Sequence, residues 1–284
     1  MLITEFHQLY KTVGLNQEVI RTFQNIIYSY FKQYGRDFPF RKEINPYNVV
    51  VSEMMLQQTQ TSRVVEKFQQ FIQEFPDFQS LANAPLNDVL KIWQGLGYNR
   101  RAVALKKIAE RIVNEFDEIL PADIEILKSF PQIGHNTASS IVAFAFNMPT
   151  FFIEVNIRRV YIYFFFPGKS SIDDDSIMPI VRKTLDRSDV RKWYYALMDY
   201  GVMLKKTHPE LNKRSTHYRK QSKFKGSNRE IRGKILKLII ASGNLTEAEI
   251  FRELKIDSKK LKEILNLLIQ EGFIKQEKNL FSIA

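Results

Sequence analysis

The sequence predicts a mainly α-helical protein that ends in a small module containing a β-hairpin. Hydrophobic residues recur at three- and four-residue steps through most of the chain, which is the period of an amphipathic helix. Glycine and proline stand between these periodic segments, where helices begin or end. The chain has 284 residues, 44% of them hydrophobic, which is enough for about two domains with buried cores.

The clearest single helix is predicted for Glu18–Tyr34, where apolar side chains share one face and Gly35 follows as a stop signal. A turn at Asn45–Tyr47 leads into the next helix. Pro85 marks the start of another, because proline is tolerated in a first helical turn. Further helices are predicted at Ala102–Phe116, Asp123–Phe130, Thr137–Phe146, Asp173–Leu185 and Arg191–Leu204.

The composition changes after residue 204. Lys205–Lys225 holds eight lysine or arginine residues but one acidic residue, Glu210. Together with His208, Pro209 and Gly226, this composition predicts a solvent-facing basic loop or linker over residues 205–227. The main helical domain is accordingly predicted to span residues 1–204.

The last part of the chain, residues 228–284, has a pattern of its own. An amphipathic helix is predicted at Arg229–Ala241, and Thr246 begins a capping box that opens a second helix. Ser258 is the predicted cap of a third helix, Lys259–Gln270. Two short strands follow within Phe273–Ile283. Three helices before a hairpin resemble a winged-helix module.

The formal net charge of +11 favours polyanionic partners, because basic side chains release the counterions condensed on a polyanion. No segment approaches the ~18–20 uninterrupted apolar residues of a membrane helix, and the N-terminus lacks the order of a secretion signal. Without cysteine the chain can form no disulfide, thiol nucleophile or iron–sulfur cluster. We expect a cytoplasmic, nucleoid-associated or otherwise intracellular protein that acts as a monomer without a membrane partner.

The segment Glu53–Gln60 contains the most informative cluster of polar side chains. Amide and hydroxyl groups at Gln57, Gln58 and Thr59 suit the hydrogen-bonding edges of a nucleobase. Glu53 lies between apolar residues, and partial burial favours the neutral, protonated form of a carboxyl group. Glu53 is therefore a candidate general acid, and the alternative is an ordinary surface-facing glutamate of a helix.

A second motif joins two predicted helices through the turn Pro131–Gly134, within about Leu127–Ala138. Glycine permits backbone geometry and close approach that a side chain would hinder. The N-terminus of the following helix presents unpaired N–H groups, which suit a phosphate. Such a turn is weak evidence alone, since most of them merely connect helices.

Taken in order, these motifs resemble the helix-hairpin-helix (HhH-GPD) DNA glycosylase superfamily, and within it the MutY-type adenine DNA glycosylases. The resemblance runs from about Phe38 to Leu204 and includes the hairpin, Gly95–Tyr98 and the segment around Glu154. It implies a fold of two helical subdomains. It also implies base excision repair of double-stranded DNA containing a mismatch or oxidised base, by hydrolytic removal of adenine opposite 8-oxoguanine or guanine.

The resemblance also implies roles for individual residues. Glu53 protonates the leaving adenine, and Glu154 stabilises the oxocarbenium sugar or captures it covalently. Tyr98 wedges into the duplex beside the flipped base. Arg100, Arg101 and Arg159 are further plausible phosphate contacts. The expected DNA- and base-binding residues are Gln57, Gln58, Thr59, Tyr98, Arg41, Ile133, Gly134, Asn136, Thr137, Asn156 and Arg158.

Two positions in the implied active site depart from the family pattern. Asn136 occupies the place of the lysine that forms a Schiff base in strand-cleaving relatives, and an amide cannot do so. A monofunctional enzyme is therefore predicted. Glu154 stands where the family has aspartate, and the extra methylene moves the carboxylate by about 1.5 Å unless the backbone adjusts. Glu154 either does the same work from a retracted backbone or only caps the next helix.

The family's iron–sulfur cluster and its C-terminal domain are also replaced. The usual cysteine spacing falls on Lys205, Asn212, Ser215 and Gln221, so the chain resembles clusterless members. No cofactor or metal site is predicted, although the resemblance allows a monovalent cation at the hairpin. The winged-helix-like module stands in place of a Nudix-like domain, either as a DNA-binding element through Lys259, Lys260, Lys262 and Lys275 or as a protein-docking one.

Two alternative functions remain open from the sequence. A thymine or uracil mismatch glycosylase shares the scaffold and a carboxylate near the position of Glu53. A catalytically silent protein that binds damaged DNA is suggested by Glu154 and by the unusual C-terminal module.

Overall fold

The computed structural model describes residues 2–220 and 223–284. Their helices are α1 (Ile3–Val13), α2 (Gln17–Tyr34), α3 (Pro39–Lys42), α4 (Pro46–Leu56), α5 (Thr61–Glu74), α6 (Phe78–Asn83), α7 (Leu86–Trp93), α8 (Arg100–Glu115), α9 (Ile124–Lys128), α10 (His135–Phe146), α11 (Val155–Phe165), α12 (Asp174–Thr184), α13 (Val190–Thr207), a 3-10 turn (Leu211–Arg214), α14 (Asn228–Ser242), α15 (Glu247–Leu254) and α16 (Ser258–Gln270). The strands are β1 (Leu245–Thr246), β2 (Ile274–Glu277) and β3 (Leu280–Ile283). The predicted mainly helical fold is confirmed.

The chain forms two compact units that are not consecutive in sequence. The first comprises the described residues up to Val49, then Ala122–Ser129 and Ile133–Lys220. The second comprises Val50–Pro121, Phe130–Gln132 and the described residues from 223 onward, so the C-terminal module belongs to it. The domain limits predicted from sequence, at 204 and 228, stay a prediction, and Gln221 and Ser222 of the predicted linker lie outside the described residues.

The core of the first unit is an aromatic cluster. Phe6 of α1 and Phe23 of α2 pack edge-on against Phe164 and Phe165 of α11, at centroid distances of 5.0–5.6 Å. Trp193 of α13 meets Phe23 at 5.6 Å. All five side chains are buried. Edge-to-face contacts of this kind add to the stability that comes from burying large apolar surfaces.

The tightest backbone approach in this unit is between α11 and α13. A Cβ atom placed on Gly201 would lie 2.3 Å from the carbonyl oxygen of Asn156. Buried Arg159 joins the same helices, since its Nη1 donates to Asn156 Oδ1 at 2.8 Å and to the Gly201 carbonyl at 2.7 Å. Helix α11, which begins directly after Glu154, is thereby held in one position by α13.

The basic segment after α13 is more ordered than a solvent-facing loop. Helix α13 continues to Thr207, and Leu211 of the following 3-10 turn is buried. Ser215 forms a β-bridge with Ile172, and Arg214 donates to the carbonyls of Lys169 and Phe166. The prediction of a loop is therefore wrong for this first part, because backbone hydrogen bonds that no sequence pattern announces fix it to the unit.

The second unit ends in a winged-helix module with a three-stranded sheet. Strands β1, β3 and β2 lie side by side in that order and pair antiparallel. The capping box at Thr246 is confirmed, since its side chain accepts from the Glu249 N–H while Glu249 accepts from its backbone. The cap of α16 is Asp257, so the prediction of Ser258 was one residue late. Strand β1 was not predicted, because a strand of two residues is too short to show the alternation of apolar and polar side chains.

We expect Gly201→Ala to lower the free energy of unfolding by ~1–3 kcal/mol, because its methyl group would force α11 and α13 apart. The midpoint of urea unfolding followed by circular dichroism measures this. Gly233→Ala in α14 is the matched control: its Cβ would meet no heavy atom of the described residues within 4 Å, so the same change should raise stability by about 0.5–1 kcal/mol. Equal effects would show that the close approach carries no weight.

Candidate functional site

Helix α4 carries Glu53 and is followed by a polar turn in the second unit. This turn, Gln57–Gln60, is here called the recognition turn. Glu53 is half-buried in the last turns of α4, between buried Ser52 and buried Met54. Gln58 is exposed and adopts the left-handed conformation, with φ of 54°. Gln58 thus lies outside α4, five residues after Glu53.

Buried Arg101 holds this turn in place from inside the unit. Its Nη1 donates to the carbonyls of Met54, Met55 and Gln57 at 2.6–2.9 Å, which are carbonyls that the end of α4 leaves without helical partners. Its Nη2 donates to Thr59 Oγ1 at 2.9 Å and to the Gly97 carbonyl at 2.8 Å. Burial lowers the pKa of Arg101 to about 10, so the guanidinium stays charged at neutral pH. The interpretation of Arg101 as a phosphate contact does not fit these bonds.

The three residues expected to recognise a base are not equivalent. Gln57 is half-buried and its Nε2 donates to the carbonyl of Gln132 at 3.2 Å. Thr59 is held by Arg101, and its own hydroxyl donates to the Gln57 carbonyl at 3.3 Å. The exposed amide of Gln58 is presented outward by its left-handed backbone. Base recognition by these residues stays a prediction, and Gln58 is the best placed.

Tyr98 lies in the loop after α7, with a left-handed φ of 49°. Its ring is half-buried and is flanked by the guanidinium groups of Arg101 and Arg229, each 5.6 Å from the ring centre. Its hydroxyl accepts a hydrogen bond of 2.6 Å from Arg229 Nη1. A wedge role for Tyr98 stays a prediction, and its ring is already contacted by the winged-helix module through Arg229.

Glu271 of the winged-helix module joins two arginines of the second unit. Arg100 Nε donates to Glu271 Oε2 at 2.8 Å, and Arg232 Nη1 donates to Oε1 at 3.0 Å. These bonds, first that from Arg100 and then that from Arg232, lower the pKa of Glu271 from 4.5 to about 2. Arg100, predicted as a phosphate contact, is therefore engaged in an ion pair.

Glu154, in the first unit, is the N-cap of α11. Its Oε1 accepts from the backbone N–H groups of Asn156 and Ile157 at 2.8 and 3.0 Å, and its Oε2 accepts from Asn156 Nδ2 at 3.2 Å. Burial raises the pKa of Glu154, while these N–H donors and the charge of Arg159 act in the opposite direction. Capping is thus shown, and any catalytic use of the carboxylate has to be compatible with it. The helix dipole favours a negative charge here.

The hairpin helix α10 contacts the segment that carries Glu154, within the same unit. Asn136 Nδ2 donates to the carbonyl of Ile153 at 3.0 Å, and His135 Nε2 lies 3.1 Å from the carbonyl of Phe151. Asn136 therefore contacts the residue directly before Glu154. Its amide positions the segment.

In the hairpin turn, the residue with the unusual backbone lies two positions before Gly134. Gln132 has a left-handed φ of 62°, whereas Gly134 has a φ of −92°, which any residue adopts. The expectation that Gly134 relieves backbone strain is wrong. A Cβ on Gly134 would meet no heavy atom of the described residues within 4 Å. The close approach of a phosphate to this glycine therefore stays a prediction. Ile133 is buried and Thr137 is half-buried, and their contact with a phosphate stays a prediction.

Two arginines predicted to bind DNA form ion pairs inside the first unit. Arg158 makes a bidentate pair with Asp174 at 2.6 and 2.7 Å. Arg41 pairs with buried Asp199 at 2.9–3.0 Å, and Arg36 donates to the same carboxylate. Their binding to DNA stays a prediction, since both are held in place before any ligand arrives. Buried Asp199 was missed in the sequence because nothing marks an aspartate of a helix as buried.

The residues at the positions of the family's cluster ligands do not fit an iron–sulfur cluster. The donors are the amine of Lys205, the amide of Asn212 and the hydroxyl of Ser215, and such clusters are held by thiolates. Ser215 is buried in its bridge to Ile172. Hydrogen bonds from Arg214 to the carbonyls of Lys169 and Phe166 hold this segment in place instead.

Comparison with known proteins identifies the domain that carries these groups. Residues 51–183 match the HhH-GPD superfamily base excision DNA repair protein family. The match covers just under half of the chain, from within helix α4 to within helix α12. The matched range contains Glu53, the recognition turn, the hairpin and Glu154, which are the groups the resemblance had singled out.

Curated relatives from bacteria and mammals are similar over part of their length. The chain is 32% identical to the adenine DNA glycosylase of Buchnera aphidicola subsp. Baizongia pistaciae, over 67% of this chain and 55% of that protein. It is 35% identical to the enzyme of the same name from Mycobacterium tuberculosis, over 46% and 44%, and to that from Rattus norvegicus, over 50% and 29%. The chain thus spans about half or less of these relatives.

Solved structures of the superfamily share the helix-hairpin-helix fold. A thermostable thymine-DNA glycosylase matches with a TM-score of 0.59 and 20% identity, over 65% of this chain and 86% of that one. Endonuclease III in a non-covalent DNA complex matches with a TM-score of 0.55 and 16% identity, over 66% and 86%. At these identities the likeness concerns the HhH-GPD fold alone.

Among the described residues, no helix combines the length and apolarity needed to cross a membrane.

We expect Glu271→Gln to destabilise the protein at neutral pH, and the loss to shrink on acidification. A folded-state pKa of about 2, below the ordinary 4.5, gives stability that is fully present above about pH 4.5 and is lost as the pH falls toward 2. The melting temperatures of wild type and variant should therefore converge as the pH falls from about 5 to about 2. The exposed Glu253→Gln on α15 is the control and should show no such convergence; a constant gap for Glu271→Gln would contradict the assignment.

Proposed function

We propose that this protein is a monofunctional adenine DNA glycosylase of base excision repair. Its substrate would be double-stranded DNA with adenine opposite 8-oxoguanine or guanine, and the bond hydrolysed would be the N-glycosidic bond of that adenine. The observation that carries the proposal is the half-buried carboxyl of Glu53 at the end of α4, directly before the recognition turn. The similarity to proteins named adenine DNA glycosylases, at 32–35% identity, supports the choice of base.

In this proposal Glu53 supplies the proton that the leaving base requires. Adenine leaves as an anion unless its ring is protonated, so a neutral carboxyl beside it lowers the barrier. Half-burial between Ser52 and Met54 favours the neutral carboxyl, while the remaining exposure gives an extrahelical base access to it. The amide of Gln58 then offers a donor and an acceptor to the polar edge of the base.

Glu154 is proposed to stabilise the positive charge that develops on the sugar. Burial raises the pKa of Glu154, while the N–H groups at the start of α11 and the charge of Arg159 act toward its ionised form. The hydrogen bonds from those N–H groups fix the carboxylate in direction. Because Oε1 accepts both backbone bonds, Oε2 is the oxygen with capacity to face the sugar. The longer side chain thus combines capping with electrostatic stabilisation.

Asn136 supports a reaction that ends at base release. An amide cannot form an imine with the sugar, and its Nδ2 is bonded to the Ile153 carbonyl. Water would complete the reaction, and the products would be free adenine and an intact strand with an abasic site. The open space around Gly134 and the N-terminus of α10 would receive a backbone phosphate.

Single-turnover base release from a panel of duplexes tests the substrate and the general acid together. The panel holds adenine opposite 8-oxoguanine, adenine opposite guanine, and thymine or uracil opposite guanine. We expect release of adenine alone, and Glu53→Gln should reduce its rate at least ~100-fold, since general acid catalysis contributes about 10²–10⁴. Glu66→Gln, an exposed glutamate of α5, is the matched control and should retain the rate.

The same panel separates the rival functions. Release of thymine or uracil would replace the adenine assignment with a mismatch glycosylase of the same superfamily. Binding to every duplex without release of any base, unchanged by Glu53→Gln, would identify a silent DNA-binding protein instead.

Glu154→Gln separates catalysis from capping. The amide oxygen can still accept from the N–H groups of Asn156 and Ile157, so the melting temperature should stay close to that of wild type. The rate of adenine release should nevertheless fall roughly 10–1000-fold, because the negative charge facing the sugar is lost. Glu154→Ala should lose both stability and rate. A fully active Glu154→Gln enzyme would reduce Glu154 to a helix cap.

A further inference from the structure

The second unit contains a cleft of about 1090 Å³ whose two walls come from distant parts of the sequence. One wall consists of the recognition turn and the loop Gln94–Asn99, and the other consists of α14 with Phe224 and Phe273. Both walls lie within this one compact unit. Ligand pockets measure roughly 300–1,000 Å³, so the cleft has room for a base, a sugar and a phosphate together.

The charge of the lining is one-sided. Among the described residues that line the cleft, cations and amides are present and carboxylates are absent. Arg100 and Arg232 are partly neutralised by Glu271 behind them, and Arg101 is buried. Arg63 and Lys237 are exposed at the cleft. The cationic members of the lining are Arg63, Arg100, Arg101, Arg229, Arg232 and Lys237.

At Gly233, helix α14 projects no side chain into the cleft. It lies inside the helix, where glycine weakens helical structure relative to alanine. A Cβ there would meet no heavy atom of the described residues within 4 Å, so packing inside the protein does not require the glycine. Because Gly233 lines the cleft, the missing side chain leaves room for a ligand against the helix backbone.

Flat groups line the same cleft. The 62% exposed Phe224 offers a ring face on one wall, and the other wall holds the half-buried ring of Tyr98, which is flanked by Arg101 and Arg229. Gln58 and Gln132 offer exposed amides beside them. Aromatic faces, amides and cations are the three kinds of group that bind a base, its polar edge and its phosphate.

We propose that this cleft binds a nucleotide of DNA whose base is unstacked, with α14 as the DNA-contacting helix of the winged-helix module. Lys237 and Arg229 would hold the phosphate, and the exposed ring of Phe224 would receive the base. The inference rests on the proposed function for its choice of DNA as the polymer. It differs from DNA binding through α16 and the wing, where Lys262 and Lys275 lie beside Glu247 and Glu277.

Fluorescence anisotropy with a labelled single-stranded 12-mer and the full chain tests the site. Lys237→Ala should weaken binding roughly threefold to tenfold and lower the slope of log Kd against log salt by about 1, as expected for one lost phosphate contact. Gly233→Leu should weaken binding to a similar extent without lowering the melting temperature, because its side chain fills the cleft and removes a helix-weakening glycine.

Two matched controls remove the same charge elsewhere. Lys234→Ala lies on α14 in an ion pair with Glu230, outside the cleft lining, and Lys259→Ala lies exposed on α16. Both should leave the affinity within about twofold of wild type, as single surface charges away from the site. Equal losses for Lys237, Lys234 and Lys259, or a larger loss for Lys259, would overturn the inference.

Adenine release by the same wild-type preparation keeps this test separate from the proposed function. Normal release without discrimination between Lys237→Ala and Lys234→Ala would reject the cleft and leave the glycosylase standing. Selective weakening by Lys237→Ala and Gly233→Leu without base release would reject the glycosylase and support the cleft.

Discussion

The buried guanidinium of Arg101 is the interaction on which the candidate site most depends. A helix that ends inside a protein leaves carbonyls without partners, and α4 ends at Leu56, three residues after Glu53 and directly before the recognition turn. One planar cation satisfies those carbonyls and also binds Thr59 and Gly97. Arg101 therefore couples the position of the general acid candidate to the turn and to the Tyr98 loop, with geometry that a lysine would not reproduce.

The other catalytic candidate depends on helix packing. Glu154 begins α11, and α11 is fixed by its contact with α13 at Gly201 and by the bonds of Arg159. Asn136 of the hairpin helix holds the preceding carbonyl. The departure from aspartate to glutamate is compatible with this arrangement because the longer side chain still reaches the N–H groups of its helix.

The winged-helix module lies in the same compact unit as Glu53 and the recognition turn. Its helix α14 contributes Arg229 to Tyr98 and Arg232 to the ion pair of Arg100 with Glu271. A module joined in this way presents its first helix to the recognition turn. That arrangement links two features with no local explanation, a glycine within α14 and a one-sided charge on the walls of the cleft.

Helical periodicity and turn residues predicted the mainly helical fold from the sequence alone, and the order of the motifs gave the family resemblance that singled out both carboxylate candidates. Such patterns are local, so a single chain displays them. The tertiary structure decided which polar groups are already engaged: Arg101, Arg41 and Arg158 all looked like DNA contacts, and all three bind partners within the protein. It also decided that Gln132, and not Gly134, carries the unusual backbone. The physical reason is that the partner of a charge is chosen by folding, between residues up to 171 positions apart, and no local pattern encodes that choice.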